Sequence, residues 1–319
     1  MSNPFISICI PTYKNVDYLQ RLLQSIIKQT FTDYEIVITD NSPDNSVEHL
    51  VIEFNNQLSI RYYRNDPPTN MGENFNRVIR KASGVWIKMM HDDDWFASPD
   101  SLKKFSDATL NSSKSFIFSA YKDVHAHSGK EVNEFFEPSK KVLLDENPLN
   151  LFSLNVIGHP STVMHKKDTA ILYDPQFKWV VDIDFYIRYL QKYPGYEYIP
   201  EMLVNIGIDE NQLSAQFYKN PKVEIPEYFK MLYKHGIKIT DHKYVFHAFW
   251  MIVRKFKIKN VGDIKASGYS GQIPDAILQI INFQKNIPGI ILKQTPFSNH
   301  FMKKCLLQCR ETHSYNQVQ

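Results

Sequence analysis

Four short strand-like runs, each parted from the next by a segment of helical periodicity, limit this chain to few architectures. The runs are residues 5–10, 34–39, 59–64 and 85–90. Between the first two, Leu19, Leu22, Leu23, Ile26 and Ile27 fall on one face of a helix over 18–27. A helix over 47–55 and one from Asn70 to Ala82 fill the next gaps, and Ser83-Gly84 stops the last. Strands that alternate with helices through short connections predict an α/β fold, a doubly wound, mostly parallel sheet with helices on both faces. Ligands of such sheets sit outside the carboxyl ends of the strands. Three polar clusters fall at those ends: Pro11-Thr12-Tyr13, Asp40-Asn41-Ser42 and His91-Asp92-Asp93-Asp94. The topology therefore gathers on one edge groups separated by up to about 80 positions.

The last cluster is the one with chemistry of its own. Three adjacent carboxylates repel one another, so a fold gains nothing by setting them together at a strand end. A divalent cation reverses that balance, because hard ions such as Mg²⁺ or Mn²⁺ take carboxylate oxygens and keep positions open for phosphate. The alternative is a solvated acidic turn that caps a helix starting near Pro99-Asp100.

Length and charge narrow the partners. The 319 residues suffice for one large domain or two smaller ones. A net charge of +3 is too mild to argue for nucleic acid as a partner. Cys9, Cys305 and Cys309 have no metal-ligand spacing and read as reduced thiols, which suits a cytoplasmic location. No basic-then-apolar leader is visible, and no window approaches 18 uninterrupted apolar residues.

Taken together, residues 8–15 (ICIPTYKN), residues 35–42 (EIVITDNS), Asn70-Met71-Gly72 and the Asp triplet resemble the family 2 glycosyltransferases. The resemblance is strong over the first 100 residues or so and weaker to about 215. It implies a GT-A fold, an activated donor such as a nucleoside diphosphate sugar, and Mg²⁺ or Mn²⁺ bridging the diphosphate to the protein. It implies transfer with inversion to a saccharide or lipid-linked acceptor, most often in bacterial surface polysaccharide synthesis. By the same resemblance Pro11, Thr12 and Tyr13 line the base and ribose pocket. Asp40 meets the nucleobase, with Asn41 and Ser42 shaping its loop, and Asn70, Gly72, Asn76 and Arg77 belong to the donor side. Asp94, which precedes Trp95, is implied as metal ligand, Asp92 as its Asp-x-Asp partner, and Asp93 as a ribose contact. His91 departs from the pattern, since many relatives carry Asp there. Arg80 is a second candidate charge on the same helix, or simply part of a solvated face.

An inverting transfer needs a base to take the acceptor's proton. Residues 179–188 (WVVDIDFYIR) resemble the family's acidic motif at a helix start, with the Arg at Arg188. That alignment implies Asp182 as base and Asp184 as supporting acid, with Asp184 as the alternative base and Val181 standing where Glu is common. A plain N-cap role for Asp182 is compatible with this. Residues 155–164 resemble the loop and strand bordering the acceptor, with His159 either a sugar or phosphate contact or a structural residue. His125 and His127 read as surface residues.

The expected domains are a catalytic, nucleotide-sugar-binding domain over 1–215 and a mainly helical region over 216–319. The aromatic and basic pattern of residues 246–258 and 301–307 fits either a packed helical subdomain or a basic surface lying against anionic lipid at the inner face of the plasma membrane. Two other readings of the function are a nucleotidyltransferase using the same carboxylates and a non-catalytic relative that binds sugar nucleotide or glycan. The first would call for a Gly-rich phosphate loop, and residues 11–15 contain no Gly. The second is motivated by His91 and Val181.

Overall fold

The computed structural model describes residues 3–209 and 212–316, the side chains of residues 213, 214 and 312–316 excepted. The chain divides into two compact units, Met1–Asp145 with Val156–Ala215, and Glu146–Asn155 with Gln216–Gln319. Ten residues that sequence periodicity leaves with the first unit thus group with the second.

The first unit opens with β1 (Ile6–Thr12), α1 (Val16–Ile27), β2 (Tyr34–Asp40), α2 (Ser46–Phe54), β3 (Ile60–Arg64), α3 (Met71–Lys81) and β4 (Trp86–Met89). It continues with β5 (Trp95–Phe96), α4 (Ser101–Asn111), β6 (Phe116–His125), β7 (Glu131–Glu134) and α5 (Pro138–Glu146). After the inserted segment come β8 (Val163–Lys166), α6 (Val181–Lys192), β9 (Glu197–Ile208) and α7 (Leu213–Phe217). The strands form one sheet in the order β3-β2-β1-β4-β8-β6-β9-β5, with β7 on β6.

The first four strands pair in parallel, in register from Ile6 opposite Tyr34 to Thr12 opposite Asp40. All seven residues of β1 are buried, because a parallel strand is covered by helices on both faces. That is why these strands read as unbroken apolar runs. Leu19, Leu22, Leu23 and Ile26 of α1 pack on Ile6, Ile8 and Ile10, each buried side chain contributing about 1.5–3 kcal/mol. The other half of the sheet is mixed: β8 is antiparallel to β4 and β6, β5 to β9 and β7 to β6, whereas β6 and β9 are parallel. The expectation of a mostly parallel sheet thus holds for β1 to β4. Beyond them, β6 and β7 are joined by a short turn and the other neighbours in the sheet are not consecutive in the chain, so no single helical crossover enforces parallel pairing.

The second unit holds α8 (Pro221–Lys234), α9 (Lys243–Lys255), α10 (Val261–Ala266), α11 (Asp275–Lys285), α12 (Gly289–Lys293) and α13 (Thr295–Asn316). Phe246, Phe249, Trp250 and Val253 of α9 are core residues. The basic end of α9 is tied inward as well: Arg254 donates to Ser298 Oγ at 3.1 Å and Lys255 pairs with the buried Glu224 at 2.6 Å. Of the two readings of 246–258, the packed subdomain is therefore the one observed. Among the described residues, no helix is long and apolar enough to cross a membrane.

Candidate active site

The ends of β1 and β2 are knitted into one surface. Thr12 Oγ1 donates to Asp92 Oδ2 at 2.6 Å, and the Tyr13 amide donates to the same oxygen at 3.2 Å. Lys14 takes the left-handed conformation (φ 64°), which turns its amide onto Ser42 Oγ at 2.8 Å. Asp40, the last residue of β2, is fully buried; its carboxylate accepts from the Ser42 amide at 2.7 Å and the Tyr62 hydroxyl at 2.8 Å. Asn41 donates to the Thr69 carbonyl and accepts from Asn65, which also donates to Asn74. These buried amides fasten the loop after β3 to the end of β2, leaving the Tyr13 ring 44% exposed at the rim.

The acidic turn lies just past β4. Asp94 N donates to the His91 carbonyl at 3.2 Å, closing a turn that brings residues 91 and 94 to one side. His91, Asp93 and Asp94 each offer a ligand atom, all within 4.8 Å of one another. Asp94 Oδ1 accepts from the Gly207 amide at 3.1 Å, Asp93 Oδ2 from Gln212 Nε2, and the His91 amide donates to Ser161 Oγ at 2.9 Å. Burial pushes all three carboxyls above the usual range, and the charge of Asp93 adds to this at Asp92 and Asp94.

Two cations offset that crowding. Arg21 lies 3.7 Å from the centre of the Trp95 ring and donates to the Asp93 carbonyl at 2.6 Å. Lys88 is completely buried in β4; it donates to the carbonyls of Ser161 and Met89, and burial pulls its ammonium down to about 7 against the opposing charge of Asp94. Gly207 is essential to the packing here, since an added Cβ would come within 2.4 Å of the Asp93 carbonyl oxygen. Gly207→Ala is expected to cost about 1–3 kcal/mol in urea unfolding, the range typical of overpacking a tight site.

The other wall comes from α6. Asp182 sits in the first turn of the helix, after an N-cap at Val180, so it is not itself the cap. Burial raises its carboxyl to about 7, against the lowering effect of its own backbone amide. Asp184 is fully buried and bound by Arg188 through Nε at 2.9 Å and Nη2 at 2.7 Å. The Phe75 ring joins the two walls, stacked on His91 at 5.0 Å and edge-on to Tyr173 at 5.2 Å. Tyr173 in turn feels the charge of Asp182. His159 packs edge-on against Tyr121 at 5.5 Å, and burial together with His91 holds it down to about 4 although Asp93 opposes.

The family model described as glycosyl transferase family 2 matches residues 7–134, which carry both the β1 and β2 loops and the acidic turn. That match over the N-terminal part of the chain, with the relatives and neighbours below, supports a family 2 glycosyltransferase. Among curated relatives, the UDP-Glc:alpha-D-GlcNAc-diphosphoundecaprenol beta-1,3-glucosyltransferase WfgD of Escherichia coli is 24% identical, over 53% of this chain and 68% of that protein. The chain spans 62% of the length of one curated relative and 87% of another. Staphylococcus aureus TarS (residues 1–349) in complex with UDP-GlcNAc superposes with a TM-score of 0.57 at 16% identity, over 99% of this chain and 92% of that one. The mannosyltransferase PcManGT of Pyrobaculum calidifontis, in complex with GDP-Man and Mn²⁺, gives 0.57 at 12% identity, over 99% and 88%. These likenesses fix the fold as GT-A.

Several residues expected on the donor side also make contacts within the protein. Asn76 binds the Tyr173 backbone with both ends of its amide, each at 2.8 Å. Gly72 is glycine because a Cβ there would lie 2.9 Å from Pro175 Cα. Asn70 caps α3 through the Glu73 amide at 2.9 Å. Arg77 donates to Asn65 at 3.0 Å, and Arg80 forms an exposed pair with Glu73 at 2.7 Å. Asp92, expected beside Asp94 as a ligand, lies outside the metal-capable group because Thr12 and Tyr13 hold it. Asn76→Ala is expected to cost about 1–3 kcal/mol, the penalty for stranding buried backbone groups, with nucleotide affinity unchanged by calorimetry.

Arg21, Gly207 and Gln212 carry no signal in the sequence, whereas Ser161 lies in the 155–164 stretch read as bordering the acceptor. Lys88 does carry one: a lone charge inside an apolar strand.

Proposed function

We propose that the chain is a metal-dependent, inverting glycosyltransferase that moves a sugar from a nucleoside diphosphate donor to a saccharide or lipid-linked acceptor in bacterial surface polysaccharide synthesis. The observation that carries this reading is the pairing of a metal-capable group, His91, Asp93 and Asp94, with an Asp182 carboxyl whose affinity for protons is matched to neutral pH. The donor set fits a divalent ion, because buried carboxylates held above their usual range regain full charge beside a cation. An orphaned His91 nitrogen points the same way.

In this reading the chain's residues divide the work. Tyr13 offers an exposed ring for the nucleobase to lie against, and the Asp40 carboxylate, fixed by Ser42 and Tyr62, meets its polar edge. Thr12 and Asp92 shape the floor below the ribose. His91, Asp93 and Asp94 would hold Mg²⁺ or Mn²⁺, which when bound stabilises charge on the departing diphosphate. Asp182 takes the proton from the acceptor hydroxyl as it attacks the anomeric carbon, and a carboxyl near 7 suits that task. Asp184, neutralised by Arg188, positions the start of α6.

The catalytic domain in this proposal is the first unit, with the second serving the acceptor. The acceptor is lipid-linked by analogy with the name of WfgD. Exposed Ile290, Phe297 and Leu307 beside Lys293, Lys303 and Lys304 supply an apolar, basic surface for contact with the inner face of the plasma membrane. Incubation with a panel of nucleotide sugars and Mn²⁺, following released nucleoside diphosphate, tests the reaction. Metal-dependent nucleotide binding without turnover of any donor would replace it with a binding role, and pyrophosphate made from a sugar phosphate and a nucleoside triphosphate would replace it with nucleotidyl transfer.

A further inference from the structure

Asp92 lies outside the group of ligand atoms that His91, Asp93 and Asp94 bring together, and its Oδ2 is committed to Thr12 and Tyr13. His91 is in place. One of its ring nitrogens lies within 4.8 Å of a carboxylate oxygen from each of Asp93 and Asp94. Its Nε2 is shut off from solvent and has no hydrogen-bond partner among the described residues. A buried polar atom left in that condition costs stability and calls for an explanation. The ring is also held in orientation before any ion arrives. Phe75 stacks on it with the planes 28° apart, Ser161 Oγ accepts from its backbone amide, and the turn to Asp94 closes on its carbonyl.

We propose that His91 ligates the metal together with Asp93 and Asp94, and that this nitrogen donor makes the site select transition ions such as Mn²⁺ and Co²⁺ over Mg²⁺. The inference rests on the metal-dependent reading above and deepens it. Carboxylate and water suit both Mg²⁺ and Mn²⁺, so the discrimination comes from the imidazole nitrogen. Hard Mg²⁺ takes that donor poorly, and transition ions hold it better in the order from Mn²⁺ to Co²⁺ and beyond. A site of two carboxylates and one imidazole therefore discriminates where three carboxylates would not. His91 replaces an oxygen donor with a nitrogen donor at one corner of the group, with its ring plane already fixed.

The test uses the full chain loaded with Mn²⁺, with and without UDP or GDP, and reads the electron spin echo of the bound ion together with competition by Mg²⁺. Expected is ¹⁴N modulation of the Mn²⁺ echo in the unaltered protein, retained in His159→Asn and lost in His91→Asp. The preference for Mn²⁺ over Mg²⁺ should shrink on the order of tenfold in His91→Asp, the scale on which groups around metal sites act. Bound Mn²⁺ without ¹⁴N modulation in the unaltered protein would overturn the role of His91 and leave the carboxylate site standing. Modulation that disappears in His159→Asn instead would do the same. No Mn²⁺ binding with or without nucleotide would remove the metal-dependent reading itself, and the inference with it.

Discussion

Asp182→Asn should leave nucleotide-sugar binding unchanged and lower transfer by about 10²–10⁴-fold, the usual worth of a positioned general base. The amide keeps the shape of the side chain in the first turn of α6 and removes only its ability to accept a proton. Calorimetry of donor binding and a turnover assay on the same preparations separate the two effects, because loss of an interaction made in the chemical step lowers kcat without weakening the ground state. The pH profile gives a second readout. Burial holds the Asp182 carboxyl at about 7, so the base is protonated and idle below that pH and ionised above it. Activity of the unaltered enzyme should rise with pH through about 7, and the residual activity of Asp182→Asn should lose that inflection. Asp184→Asn should behave differently. Its carboxylate is committed to Arg188 through two contacts, so the variant should lose stability and keep the inflection. If Asp184→Asn instead erased the inflection while Asp182→Asn kept it, the base would be Asp184.

The parallel half of the fold was legible because β1, β2 and β4 are largely buried, which makes each an apolar run that no surface strand needs, and the half-exposed edge strand β3 falls between two helices. The mixed half was not, since β5 has two residues and β7 alternates exposed with half-buried positions. The loops at the ends of β1 and β2 could be read for the same reason as the strands: the topology puts them side by side whatever their separation in sequence. Inside the acidic turn the sequence pattern and the folded chain group different residues. Asp92 and Asp94 form the Asp-x-Asp spelling, but the turn closes between residues 91 and 94, so those two share a face and Asp92 turns back to Thr12. His91, marked as a departure from the family pattern, is thereby the side chain that joins Asp93 and Asp94. Asn76 has a contact that the sequence does not show. Its place on the helix after Asn70-Met71-Gly72 suggested a donor contact, and only the path of the chain 97 positions later, at Tyr173, reveals what its amide binds.

Asp94→Asn is the second large effect, expected to reduce Mn²⁺ affinity and metal-supported donor binding together by at least about 100-fold, since even outer partners of a metal site are worth 10–100-fold. The carboxylate has one oxygen on the Gly207 amide, with Ser161 and the buried Lys88 offsetting the burial that raises its pKa. That environment holds the side chain in a single orientation, so its replacement by an amide is not relieved by rotation. The Asn side chain keeps the contact to Gly207 through its carbonyl oxygen, which makes folding a fair control: the midpoint of urea unfolding without metal should hold or rise, because one of three crowded carboxyls is gone. Titration of Mn²⁺ in the presence of a nucleoside diphosphate, followed by the loss of the free-ion resonance signal, measures the affinity directly. An unchanged Mn²⁺ response in a folded Asp94→Asn protein would take Asp94 out of the metal site. Loss of metal binding without the expected rise or constancy in stability would instead mean that the Asp94 carboxylate braces the turn after β4 against β9 as well as holding the ion.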